Sequence, residues 1–436
     1  MTQTQTMQPT PAPSWLMPGG QINEVRFCQE FRKTHDLACD GERFYSREGL
    51  VVNEKPLRHA IYAEIAEYIS TNVQQRVDKL MGALRLDCSN MLLQEGLEFI
   101  HVKNGTYSIT GAYSDYKHHC RYRLGANYRP DAPKPERWLA FLEELLEPED
   151  ILTLQEFMGY CLVPLTVAQK MLIITGSGGE GKSRIGVVMR ALLGNACGMG
   201  SLAKVETNRF ARADLENLLV MVDDDLKMEA LQDTNYIKTI VTAETPMDLE
   251  RKGKQSYQGK LHVRFLAFGN DTLRALHDRS FGFFRRQIIL TAKPIPKGRV
   301  NDPYLGVTLC QELDGIFLWC LEGLNRLVEQ NMQFTISSRA TANMQMSMAK
   351  SNNILDFLAS AGYFRRDPDV SITSRSLYGI YRDWCDDNNL TPLSARSFSD
   401  YLCQNAQQYH LRYTTNVPIG GGKHARGFVG IGRVVS

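Results

Sequence analysis

Nowhere does the chain hold an apolar run approaching the roughly 18 residues that a membrane-spanning helix needs. Its opening, MTQTQTMQPTPAP, has neither a basic start nor an apolar centre, so no secretory signal is expected and the protein is read as soluble and cytoplasmic. The ten cysteines include no CxxC pair, which argues against a zinc ribbon and a disulfide framework; most are expected to be reduced core residues. Charge is nearly cancelled, 50 Lys+Arg against 48 Asp+Glu for a net +2, which excludes a histone-like polycation and an acidic tail protein but not a locally basic channel. No repeat of fixed period is present. What remains is an ordinary globular composition, 43% hydrophobic over 436 residues, long enough for two to four domains.

Residues 1–18 are rich in Thr, Gln and Pro and predict a flexible tail. Leu57, Ile61, Ile65, Ile69, Val73, Val77, Leu80 and Leu84 recur at spacings of three and four, the stripe of one or two amphipathic helices. Alternation from Phe99 to Ile109 around Asn104-Gly105 predicts a hairpin, and two further helical stretches run from Trp138 to Leu146 and from Ile151 to Leu162. A helical N-terminal domain over 19–165 is the expectation. From Met171 short apolar runs alternate with helices: MLIIT (171–175), LLVMV (218–222), VRFLAFG (263–269) and QIILT (287–291). Such runs predict an α/β domain over 166–345 with a parallel or mixed sheet covered on both faces. Residues 350–436 predict three helices and a polar strand pair, a winged-helix-like end.

The sharpest motif is Gly176-Ser177-Gly178-Gly179-Glu180-Gly181-Lys182-Ser183, a full GxxxxGKS between the run MLIIT and the helical segment RIGVVMRALLG. Its glycines allow a nest of N–H groups around phosphate oxygens, Lys182 is expected on the β- and γ-phosphates of ATP, and Ser183 on Mg2+. LLVMV ends in Asp223-Asp224-Asp225. Asp223 is assigned to magnesium and Asp224 to the base, with Asp225 as a substitute; an acidic cap on the following segment LKMEALQ is the alternative. Asn270 leaves the run VRFLAFG where it could orient the attacking water, although Asn-Asp is also an ordinary turn. Arg285 and Arg286 are arginine-finger candidates, with a surface pair as the alternative. Between Arg251 and Arg264 stand five Lys/Arg, no acid and Tyr257, the mixture a single-stranded nucleic acid groove uses. The wing-like GGGKHARG (420–427) adds Lys423 and Arg426 as backbone contacts.

In this order, GSGGEGKS, LLVMVDDD, IKTIVTAETPMDLERKGKQSYQGK, FLAFGN and FRRQIIL resemble the phage, plasmid and poxvirus-type primase-helicases, superfamily-three helicases of the AAA+ class. The resemblance implies a P-loop AAA+ core in a ring, usually hexameric, that hydrolyses ATP between subunits and moves 3′-to-5′ on single-stranded DNA. It puts Lys252, Lys254 and Tyr257, with Lys260 beside them, on a DNA-contacting hairpin and Arg285 or Arg286 on a finger acting in trans. Asp224 stands where many members carry Glu. With no zinc cluster or large N-terminal primase domain, priming is not expected. The implied function is a DNA helicase in replication initiation of a mobile genetic element, such as a phage, pathogenicity island or resistance cassette. Its partners are single-stranded, forked and origin duplex DNA and a separate primase or polymerase. An origin-binding initiator using ATP only as an assembly switch is the alternative.

Overall fold

The computed structural model describes residues 12–434, apart from 90–92, 94, 95, 97, 227–233, 271–280, 352, 389 and 391. At its centre lies a five-stranded sheet whose strands we number β1 (Met171–Thr175), β2 (Cys197–Met199), β3 (Val220–Leu226), β4 (Arg264–Gly269) and β5 (Gln287–Thr291). Every pairing is parallel and the order is β2-β3-β4-β1-β5. Because strand side chains alternate between faces, the apolar runs serve two cores at once. Leu172, Ile174, Val222, Leu266 and Phe268 face one, while Met171, Ile173, Met221, Phe265 and Ala267 face the other. This double burial explains why the runs carry no polar alternation. The fold is mixed α/β around a parallel sheet.

Two further cores are separate from those of the sheet. The first gathers the helices Glu24–Thr34, Lys55–Ala66 and Val73–Cys88, burying Leu57, Ile61, Ile65, Val77, Leu80 and Leu84 as the stripe predicts. Three short antiparallel strands, Ala38–Cys39, Phe44–Ser46 and Gly49–Leu50, complete it, so the unit is not purely helical. The last core lies under a three-stranded antiparallel sheet and the helices Asn353–Ala359, Ser374–Asp387 and Ala395–Gln404.

Several expectations need correction. Residues 1–11 of the expected tail lie outside the described residues, but Trp15 is buried, with its ring edge-on to Phe27 and Tyr68 at 5.4 and 5.6 Å. The segment expected to be a flexible tail is therefore packed at Trp15. The N-terminal cores also do not divide at residue 165. Ile100, Trp138, Phe141, Leu142, Leu154 and Phe157 join the core beneath β1, whereas the first core ends at Cys88. Helical periodicity shows which face is buried, not what buries it. In the C-terminal unit a strand, Phe364–Thr373, intervenes between the first two helices. Pro368 and a register shift between Asp367 and Ser371 interrupt its pattern. The helix expected at LKMEALQ falls mostly outside the described residues.

Candidate functional site

The three motifs converge because β4 is inserted between β1 and β3. The glycine loop leaves the carboxyl end of β1, Asn270 follows β4, and Asp224 and Asp225 sit near the end of β3. Carboxyl ends of strands at such an inserted position are where open parallel sheets hold ligands. A cavity of about 1540 Å³ opens there, lined by Gly178, Lys182, Ser183, Asp224, Asp225 and Asn270 among others.

The loop takes a form open to glycine: φ is +101° at Gly178, +84° at Gly179 and +99° at Gly181, the left-handed region that side chains rarely enter. Ser183 then starts the helix Ser183–Leu193, with its positive dipole end toward the loop. Inside the loop Glu180 accepts hydrogen bonds from the N–H of Ser177, from the N–H of Gly178 at 2.9 Å and from Lys182 Nζ at 2.6 Å. Burial alone pushes its pKa up, but the Lys182 bond and the loop N–H donors outweigh that and hold it below the usual carboxylate range. The cradle thus has the donors to hold an anion and holds one of its own. Arg299, not singled out from the sequence, lines the cavity and donates to the Glu180 carbonyl at 2.7 Å. Its only sequence signal was that basic residues recur after Arg286, at Lys293, Lys297 and Arg299.

The acidic strand end differs from expectation. β3 continues through Leu226 with a register shift after Asp223, and Asp223, two residues on from Met221, falls on the Met221 face. There its Oδ2 accepts the N–H of Leu202 at 2.8 Å, at the start of the helix Leu202–Thr207. Asp223 is buried and is not among the cavity-lining residues, whereas Asp224 and Asp225 are exposed and line it. Burial pushes the Asp223 carboxyl pKa up. Asp223, the residue expected on magnesium, thus lies away from the cavity, and the acids that line it together with Lys182 and Ser183 are Asp224 and Asp225.

Arg285 and Arg286 precede β5, whose first residue pairs with Met171, the first of β1. They lie at the opposite end of the sheet from the loop and do not line the cavity. Arg286 is tied within its own chain, donating to Thr242 Oγ1 at 2.9 and 3.0 Å and to the Gly282 carbonyl. Arg285 is exposed.

Met247–Leu249 and Tyr257–Gly259 form the expected antiparallel hairpin. Lys252, Lys254 and Lys260 are exposed on or beside it. Arg251 is instead ion-paired with Glu42 and Glu216, Lys254 also pairs with Glu42, and the Tyr257 hydroxyl donates to Glu216 at 3.1 Å. Arg264 is buried, donating to the carbonyls of His262 (2.6 Å) and Tyr160, with its guanidinium over the Tyr160 ring. It is a structural residue, not part of a basic surface. In the C-terminal unit Lys423 is exposed in the turn joining Arg412–Pro418 to His424–Arg433, and Arg426 is exposed on the second of these strands.

Residues 174–286 match a family of unknown function (DUF5906), and residues 349–418 match the poxvirus D5 protein-like family. The first span runs from the end of β1 to Arg286 and takes in the loop, the acids, the hairpin and Asn270. Two apo structures of the NrS-1 C-terminal region share the fold, with TM-scores of 0.51 and 0.53 at 12% and 11% identity. They cover 92% and 94% of this chain and 98% and 99% of those chains. No curated protein matches the sequence. Among the described residues no helix is long and apolar enough to cross a membrane, and no group of three or more His, Cys, Asp or Glu is arranged to hold a metal.

Proposed function

We propose that the chain is an ATP-dependent DNA helicase of the superfamily-three AAA+ type, ring-forming and 3′-to-5′, acting in replication initiation of a mobile genetic element. The observation that carries this reading is the meeting of the glycine loop, Asp224, Asp225 and Asn270 at one cavity whose cradle already holds a carboxylate. The poxvirus D5 protein-like match at residues 349–418 and the fold shared with the NrS-1 C-terminal region support it.

In this reading the N–H groups of residues 177–183 and Lys182 bind the phosphate tail of ATP. Ser183 with Asp224 or Asp225 would hold Mg2+, which when bound neutralises phosphate charge. One carboxylate of the Asp224–Asp225 pair takes the proton of the attacking water, and the Asn270 amide orients that water. Arg285, exposed and remote from its own cavity, serves the neighbouring subunit's site. Lys252, Lys254, Tyr257 and Lys260 meet single-stranded DNA, and Lys423 and Arg426 on the winged-helix-like unit meet duplex backbone.

Strand displacement from a 3′-tailed fork tests the reading. Wild-type protein should release the labelled strand with ATP, and Lys182→Ala should abolish release and turnover. Unwinding by that variant at the wild-type rate sinks the proposal. ATP-dependent oligomers with no displaced product would favour the initiator that uses ATP as an assembly switch.

A further inference from the structure

Glu180 is the only acid among the eight loop residues, and its side chain folds back into the hollow that the loop encloses. Besides the bonds to Ser177, Gly178 and Lys182, its Oε2 lies 3.1 Å from the Gly178 nitrogen. Glu180 and Lys182 are 3% and 7% exposed. The fit is close enough that a Cβ on Gly176 would stand 2.7 Å from Glu180 Oε1 and 2.8 Å from Lys182 Nζ. These donors are the ones that phosphate oxygens use in a loop of this kind.

We propose that Glu180 is a built-in competitor for the phosphate tail of the nucleotide, one that a polyphosphate must expel before Lys182 and the loop N–H groups become available. The inference rests on reading the cavity as a nucleotide site and adds what sets its affinity. Charge-assisted hydrogen bonds to a buried ammonium are stronger than neutral ones, so a weak anion gains little by replacing the carboxylate. A diphosphate or triphosphate brings more charge and more acceptor oxygens, and it does displace it. Glu180 thereby lowers the affinity for di- and triphosphates, which must displace it, and leaves a monophosphate, which does not, nearly unaffected.

Exchange needs only side-chain rotation. Arg299 holds the Glu180 carbonyl at 2.7 Å, fixing the backbone while the carboxylate leaves. Lowering the pH does not relieve the competition until it falls below the ordinary carboxylate range, because the Lys182 bond keeps Glu180 ionised.

Titration calorimetry of the full chain with ADP, AMP and inorganic tripolyphosphate tests this, comparing wild type with Glu180→Gln and Glu180→Ala. Both variants should bind ADP and tripolyphosphate roughly tenfold more tightly, about 1.4 kcal/mol, with AMP affinity changed less than about twofold. The glutamine variant keeps side-chain length, so agreement between the two excludes collapse of the loop as the cause. Wild-type binding of ADP with equal or weaker binding by both variants overturns the competition and leaves the nucleotide site standing. If none of the three folded proteins binds ADP or tripolyphosphate, the nucleotide reading fails and the competition with it.

Discussion

Glu42 and Arg251, 209 residues apart in sequence, form an ion pair that joins the first unit to the basic hairpin. The same carboxylate takes Lys254, and Glu216 takes the other side of the Arg251 guanidinium. The Glu42 side chain is 46% exposed and that of Lys254 58%, and exposed pairs contribute under about 1 kcal/mol each. A polyanion that releases condensed counterions outcompetes such pairs. Glu42→Gln should therefore tighten binding of a labelled single-stranded oligonucleotide by up to roughly fivefold at low salt, fading as salt rises. Fluorescence anisotropy across a salt series measures it, and an unchanged affinity would place the DNA contact elsewhere.

Asp223 and Asp224 are adjacent in sequence, yet only Asp224 faces the cavity. Asp224→Asn should lower ATP turnover by roughly 10²- to 10⁴-fold, the usual contribution of a positioned base. Asp223→Asn keeps an oxygen to accept the Leu202 N–H and should stay within roughly threefold of wild type. Steady-state phosphate release compares them, and the reverse ranking would restore Asp223 as the working acid.

The two arginines before β5 separate in the same way. Arg285→Ala should reduce turnover by roughly 10³-fold or more while leaving nucleotide binding intact. Mixing it with Lys182→Ala subunits should restore part of the turnover, since a junction can then carry one intact loop and one intact finger. Arg286→Ala loses the bonds to Thr242 and Gly282 and should lower the melting temperature. Absence of complementation in the mixed assembly would remove Arg285 from the junction.

Asp150 supplies a pH test of stability. Its Oδ1 accepts from Ser337 at 2.6 Å, but its buried Oδ2 has no hydrogen-bond partner among the described residues. Burial raises its pKa above the ordinary value of 3.8. Folding thus favours the protonated form, and a stability penalty grows as pH rises from the unfolded pKa through the raised folded one. Asp150→Asn removes that penalty. Its melting temperature relative to wild type should increase from pH 4 toward pH 7; a pH-independent difference would show that Asp150 carries no such cost.

Much of the site was legible because it is local. The loop 176–183 between a strand and a helix, the turn flanked by Met247–Leu249 and Tyr257–Gly259, and the stripe from Leu57 to Leu84 each follow from neighbouring residues. The choice between Asp223 and Asp224 was not legible, because the register shift after Asp223, beyond which both Asp224 and Asp225 line the cavity, leaves no mark in the order of residues. Nor was the fate of the basic residues. Arg264 and Lys252 stand in one run, yet one is buried against the Tyr160 ring and the other exposed.

By itself the sequence determined the phosphate-type loop, the apolar runs buried on both faces and the near-zero net charge, all of which depend on residue type and short-range spacing. Tertiary structure alone decided that β4 passes between β1 and β3 and brings Asn270 beside the loop. It also decided that Glu42 reaches Arg251 and that Glu180 fills the loop's own cradle. These contacts depend on chain crossovers and side-chain directions in space. Residue order lists the groups, and only packing determines which of them meet.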